Sequence, residues 1–299
     1  MRAAWTLPAL VLASMLWGTT GTAASFLPDS VSPIAIGAST MTVGGVLLFL
    51  FSSRAAIGAF RDAHARRWLV IGALGVFVYP LAFYSAMDQA GVAIGNVVSL
   101  GSGPIFAALL EWIWERHRLS LRWLICAVIA IAGVVLLSTG RISEAGGGKS
   151  IPIGVALGLL AGFAYALYTY ASTRALAAGH SGRGVMGAMF GMGAVLLAPV
   201  LLATGRPLLA SVPSAAIAGY LAIGPMFVAY LLFGFGLRSI RSSVATTVTL
   251  IEPLVATVLA ILVVGERLTW SGWIGFSLIL IGVTLLVSAR QPGKPTGPF

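Results

Sequence analysis

The chain has 299 residues, of which 59% are hydrophobic and 9% charged, with a mean hydropathy of +1.00. A water-soluble domain carries roughly 25% charged residues, so the composition excludes a soluble globular protein, and its apolar richness excludes a disordered one. The net charge of +10 does not mark a nucleic-acid partner, because the 18 basic residues are spread thinly between apolar runs and build no face that tracks phosphates.

A helix needs about 20 apolar residues to cross the hydrocarbon layer of a bilayer. Ten such runs follow one another, at about 4–27, 33–52, 69–87, 91–114, 121–139, 151–172, 184–203, 213–236, 242–264 and 270–289. The expected fold class is therefore an all-α polytopic membrane protein. The links carry turn formers, namely Pro28-Asp29, Pro33, Gly146-Gly147-Gly148, Pro207 and Pro213, and 291–299 reads as a disordered tail. Arg2 before an apolar run suggests a signal peptide, but this run outlasts an h-region of about 7–15 residues, so a retained helix is expected. Cys126, the sole cysteine, reads as a small buried hydrophobe and leaves no disulfide framework.

Lys and Arg accumulate on the cytoplasmic side of membrane proteins. With the N-terminus inside, fourteen of the basic residues fall on inner segments, against Arg141, Lys149, Arg206 and Arg267 outside. Both termini are then cytoplasmic. The chain also matches itself at a constant offset of 149, pairing Gly75 with Gly224, Pro104 with Pro253, Arg118 with Arg267 and Gly133 with Gly282. Such a shift of five spans inverts one half against the other, giving two five-helix repeats at 1–143 and 150–290. Inverted repeats are the architecture of secondary transporters, which rock about a site near the midplane.

Leu250-Ile251-Glu252-Pro253-Leu254-Val255-Ala256, Gly265-Glu266-Arg267-Leu268-Thr269 and Gly282-Val283 resemble the closing half of the drug/metabolite transporter superfamily. Leu16-Trp17-Gly18-Thr19-Thr20 resembles the opening of the same repeat, and over about its whole length the chain is similar to the ten-helix EamA-type exporters. The first half departs from the pattern, with Gly103-Pro104 in place of Glu-Pro and His117 where the second half has Glu266. The resemblance implies export of amino acids or related metabolites across a bacterial cytoplasmic membrane. Sugars, nucleotide derivatives or drug-like cations are the alternative cargo. The loop-poor, basic form is similar to amino-acid exporters of the YddG kind.

Polar groups inside a bilayer are costly and need a partner helix or a wet cavity. On the fourth span Asn96, Ser99 and Gly103 share a face, which either lines a cavity or bonds a neighbouring helix. Glu252 falls halfway along the ninth span, and Pro253 disfavours helical geometry just before it. Its carboxyl is read as a counter-charge for an ammonium, a proton carrier, or a protonated structural group. Gly103, Pro104 and Pro253 are the expected hinges or helix breaks.

Aromatic residues supply the second constellation: Trp17 on the first span, Tyr79 and Phe83 on the third, Tyr165 and Tyr168 on the sixth, Phe227 and Tyr230 on the eighth. Aromatic walls with a few polar tips suit a small amphiphilic solute. Trp112, Trp114, Trp123, Trp270 and Trp273 lie near span ends, where an interfacial belt is expected. Gly154, Gly158 and Gly162 form small-residue steps for close helix packing. Glu111, near the inner end of the fourth span, is expected to pair with a basic loop residue. There is no HExxH, GxxxxGK[ST] or GxSxG, and His64, His117 and His180 fall in links, so no metal, cofactor or catalytic site is expected and an intramembrane enzyme is the remote alternative.

Overall fold

The computed structural model describes residues 5–90, 92–116, 120–139, 150–264 and 269–287, and all of the regular structure within them is helical. The first half contains α1 (Thr6–Gly18), α2 (Thr20–Ala24), α3 (Pro33–Phe51), α4 (Ser53–Arg61), α5 (Ala63–Ala90), α6 (Val92–Glu115) and α7 (Leu121–Thr139). The second contains α8 (Ile151–Ala177), α9 (Gly182–Thr204), α10 (Val212–Leu221), α11 (Ala229–Gly236), α12 (Ser242–Val248), α13 (Glu252–Leu259) and α14 (Trp270–Val287). Several of these are pieces of one span. A bend at Thr19 separates α1 from α2, a π-turn over Ala222–Val228 joins α10 to α11, and a 3-10 turn over Thr249–Ile251 joins α12 to α13.

Among the described residues seven stretches are long and apolar enough to cross a membrane: Thr6–Ala24, Pro33–Phe51, Ala63–Ala90, Ile151–Ala177, Gly182–Thr204, Val212–Gly236 and Ser242–Val263. Shorter apolar helices run over Leu121–Leu137 and Trp270–Leu286, and α6 is 24 residues long, roughly 36 Å by helical rise. The chain is thus a multi-pass membrane protein. The segments 140–149, 265–268 and 288–299 are outside the described residues, together with Gly91 and His117.

Serine caps set several helix starts. Ser32, Ser181 and Ser211 each accept a hydrogen bond from a backbone N–H three residues on, and Pro33 fits the first turn of α3, where no N–H is needed. Gly179, at φ +91, ends α8 in a left-handed turn that an L side chain resists. Not expected from the sequence is α4, a short helix in the link after α3 that tucks Ala56 and Ala59 against its neighbours and turns Arg54 and Arg61 outward.

The halves pack chiefly as α5 along α8, α3 along α9, α7 along α14 and α6 along α8. In lipid no hydrophobic effect pulls helices together, so close backbone approach has to hold them. A Cβ on Gly75 would lie 2.8 Å from the Ala164 carbonyl oxygen, and one on Gly133 would lie 2.7 Å from that of Gly275. The Gly154, Gly158 and Gly162 ladder on α8 does the same against Ala90, Val98 and Ser102. At the arginine-bearing end, Asp62 Oδ2 and His180 Nε2 join the α4–α5 link to the α8–α9 link at 2.9 Å. The His180 hydrogen bond, together with one from the His64 N–H, holds the Asp62 carboxyl below its ordinary range.

Candidate functional site

A cavity lies between the halves, about midway along the spans, enclosing about 660 Å³ of unfilled space with its open mouth included. Its polar end is built by α13 and its aromatic walls by α1, α5, α8 and α11. Of the predicted residues, Trp17, Tyr79, Phe83, Tyr165, Tyr168, Tyr230 and Glu252 line it. The structure does not bring Asn96, Ser99 or Phe227 there. Ser99 is buried against the glycine ladder of α8, Asn96 is partly buried outside the cavity lining, and Phe227 meets Phe51 edge-on at 5.5 Å.

The walls form one connected aromatic network. Trp17 lies 5.0 Å from Tyr230, Tyr79 stacks on Phe83 at 5.5 Å, and Tyr165 lies 5.8 Å from Tyr79 and 5.3 Å from Tyr168. Hydroxyl pairs fix the rings: Tyr168 with Tyr230 at 2.9 Å, and Tyr165 with Thr249 at 2.7 Å. Five of the seven tyrosines of the chain line the cavity. Sequence reasoning missed Tyr84 and the whole contribution of α3, namely Gly37, Thr40 and Met41. The i, i+3, i+4 spacing of those three on the second span was the available signal. Among the described residues the Thr40 hydroxyl, which is buried, has no hydrogen-bond partner.

Glu252 opens α13, and its position comes from a break one turn earlier than expected. Its own backbone is helical, at φ −50 and ψ −51. Pro253 cannot donate to the Thr249 carbonyl, and Thr246, Thr247 and Thr249 bond their hydroxyls back onto carbonyls of the preceding turn. The strain is released as the 3-10 turn over Thr249–Ile251. At Gly103-Pro104 the helix continues unbroken from Val92 to Glu115. Gly103 serves a different end, since a Cβ there would lie 3.0 Å from the Tyr165 ring. Among the described residues no hydrogen bond or ion pair engages the Glu252 carboxylate, and the cavity lining contains no Lys, Arg or His.

Further polar ties join the halves. Glu111 on α6 is 2% exposed, and its partners are serines rather than the expected basic loop residue. It accepts hydrogen bonds from Ser242 Oγ (2.7 Å), Ser243 N (2.9 Å) and Ser243 Oγ (2.7 Å) at the start of α12. This latch lies eleven residues along α6 from Leu100, or roughly 16 Å from the cavity by helical rise. Beside it Trp68 meets Trp114 and Tyr170 edge to face, Trp114 and Tyr170 lie tilted at 6.0 Å, Arg174 covers the Trp68 ring at 5.5 Å, and Arg174 pairs with Glu115 at 3.2 Å. Towards the other end, Thr19 and Tyr220 share a single exposed hydrogen bond of 2.7 Å. Of the expected belt tryptophans, Trp112, Trp114, Trp270 and Trp273 are exposed, whereas Trp123 is buried in the core. No cluster of potential metal ligands occurs among the described residues.

The EamA-like transporter family pattern matches twice, at residues 4–139 and 152–288, once on each half. The chain belongs to the EamA-like transporter family. Members are membrane transporters, not enzymes, and the double match is the two-repeat organisation on which the cavity sits. Among its relatives is the uncharacterized transporter YwfM of Bacillus subtilis, 31% identical over 95% of this chain and 94% of that one. A probable terminal-alkyne amino-acid exporter of Streptantibioticus cattleyicolor is 23% identical over 98% and 95% of the two chains. The Escherichia coli K12 protein named inner membrane transporter YedA, also uncharacterized, is 23% identical over 96% and 92%. A solved crystal structure superposes with a TM-score of 0.79 at 22% identity, covering 95% of this chain and 96% of its own, and shares the EamA-type helical fold.

Proposed function

We propose that this protein is a secondary transporter that exports amino acids or related small metabolites from the cytoplasm by alternating access. The observation that carries the reading is the cavity itself: a lone carboxylate and an aromatic wall, halfway along the spans, built from helices of both halves. A solute seated there is reached from one face or the other according to how the repeats tilt. Ten spans in two inverted five-helix repeats at 1–143 and 150–290, with both termini cytoplasmic, complete the reading. The skewed placement of arginine supports that orientation. The name of the Streptantibioticus relative supports amino-acid-like cargo, as does the similarity to exporters of the YddG kind.

These ties describe how such a cycle is held. Three short bonds onto one buried carboxylate, with the Arg174–Glu115 and Asp62–His180 pairs, tie the halves at the arginine-bearing end, whereas the exposed Thr19–Tyr220 hydroxyl pair and a Ser150 N–H to Gln89 carbonyl bond tie them towards the opposite side. Charge-assisted hydrogen bonds are roughly twice as strong as neutral ones, so the structure is held shut more firmly at the inner end. Opening inward requires Glu111 to part from Ser242 and Ser243.

Purified protein in liposomes loaded in turn with each common labelled amino acid tests the reading. Release of an unaltered solute above the rate of protein-free vesicles is expected. A chemically changed solute would instead identify an intramembrane enzyme.

A further inference from the structure

We propose that the cavity recognises the ammonium end of its cargo and an attached flat apolar body, and offers no place to a carboxylate. Its preferred substrates are then organic amines and carboxyl-blocked amino acids, ahead of zwitterionic amino acids. This inference rests on the reading of the cavity as the transport site.

The charge inventory comes first. Glu252 is the acid of the lining, and no base accompanies it among the described residues. Arg241 stands eleven residues before Glu252, roughly 16 Å away by helical rise, too far to touch a solute at the carboxylate. A substrate carboxylate entering here meets a like charge and has only neutral hydroxyls, such as that of Thr40, to replace its water.

Helix geometry gives the second argument. In transporters with broken helices, the positive N-terminus of a half-helix commonly receives the anionic group of the substrate. The ninth span instead continues into α13 through a 3-10 turn in which the Glu252 N–H bonds the Thr249 carbonyl, and the first residue of α13 is Glu252. A protein carboxylate already occupies the place where a substrate carboxylate would go. Pro80 and Pro225, both in the lining, remove N–H donors from the walls. The backbone contribution is thereby shifted towards acceptors.

The walls supply the third. Trp17, Tyr79, Tyr165 and Tyr230 line the cavity together with Glu252, and an ammonium or quaternary ammonium group is attracted to aromatic ring faces in a desolvated site. The Tyr165 and Tyr168 hydroxyls are already paired within the protein, so they are poor candidates to solvate an incoming anion.

The test is counterflow in proteoliposomes of the full chain with three matched probes: phenyltrimethylammonium, L-phenylalanine methyl ester and L-phenylalanine. The permanently charged probe avoids leakage of a neutral amine. The expected result is that the first two exchange and compete at concentrations about tenfold below L-phenylalanine. Glu252→Gln should abolish that preference while Trp112→Phe, at an exposed position outside the lining, keeps it. Both variants are checked for an unchanged elution profile in detergent, and if Glu252→Gln fails it, the ranking of the three probes on the wild-type protein decides. Exchange of L-phenylalanine at equal or lower concentration than its ester would overturn the inference and leave the transporter reading intact. Failure of all three, with exchange of some other solute, would overturn the substrate class alone. Failure of every solute would overturn both.

Discussion

Glu252 and Gly103 occupy equivalent places in the two repeats, and their difference makes the cavity one-sided. Gly103 leaves room for the Tyr165 ring, while Glu252 brings a carboxylate to the opposite wall. If that carboxylate carries protons, flux through Glu252→Gln loses its pH dependence while the protein still accumulates in the membrane. A variant that fails to accumulate would assign the residue to structure. Gly103→Val drives a side chain towards the Tyr165 ring and should reduce transport at least tenfold with little effect on folding, measured by vesicle flux beside expression level. Asp62 allows a check outside the membrane. Because its folded carboxyl titrates below the ordinary value of about 3.9, its pairing stabilises the fold above that pH and the benefit is lost as pH falls through the folded value. Thermal unfolding of Asp62→Asn should therefore differ from wild type at pH 6 and converge with it in strong acid; an equal difference at both would contradict the assignment.

Between elements, α6 and α12 meet at a carboxylate that hydropathy reading cannot locate. Removing it in Glu111→Ala strands two serine hydroxyls and one backbone N–H, and each lost hydrogen bond to a charged group is worth about 1.5–3 kcal/mol. The arginine-bearing end should open more often. In a Cys126→Ala background, a cysteine placed at Thr40 should react with a membrane-impermeant maleimide from that side at least about tenfold faster once Glu111 is gone. Unchanged labelling would show that the latch is not a gate. The α7–α14 pair rests on backbone contact instead, so Gly133→Leu, at a site 2.7 Å from the Gly275 carbonyl for a bare Cβ, should lower the detergent melting temperature. Overpacking of this kind costs about 1–3 kcal/mol.

For the whole molecule, the apolar runs were legible because a bilayer demands continuous hydrophobicity, and a helix is found on every expected run. The central aromatic residues were legible too, since few polar or amphipathic groups survive mid-span without a use. What stayed hidden was facing. A membrane helix apolar on all sides gives periodicity no polar face to read, so the sequence leaves Asn96 and Ser99 open between cavity and helix contact, places Phe227 with the aromatic walls, and passes over Thr40 and Tyr84. The Glu111 latch was hidden for another reason, because its partners are 131 and 132 residues away in sequence. The short helix α4 fell in a link whose mixed polarity reads as loop. The central claim is that one cavity between two repeats is exposed to each side of the membrane in turn. Counterflow measures this most directly: vesicles loaded with an excess of unlabelled solute should transiently accumulate the same labelled solute above its outside concentration. The account predicts that overshoot, with its collapse in Glu252→Gln, and labelled solute that only equilibrates, at a rate indifferent to what is inside, would contradict it.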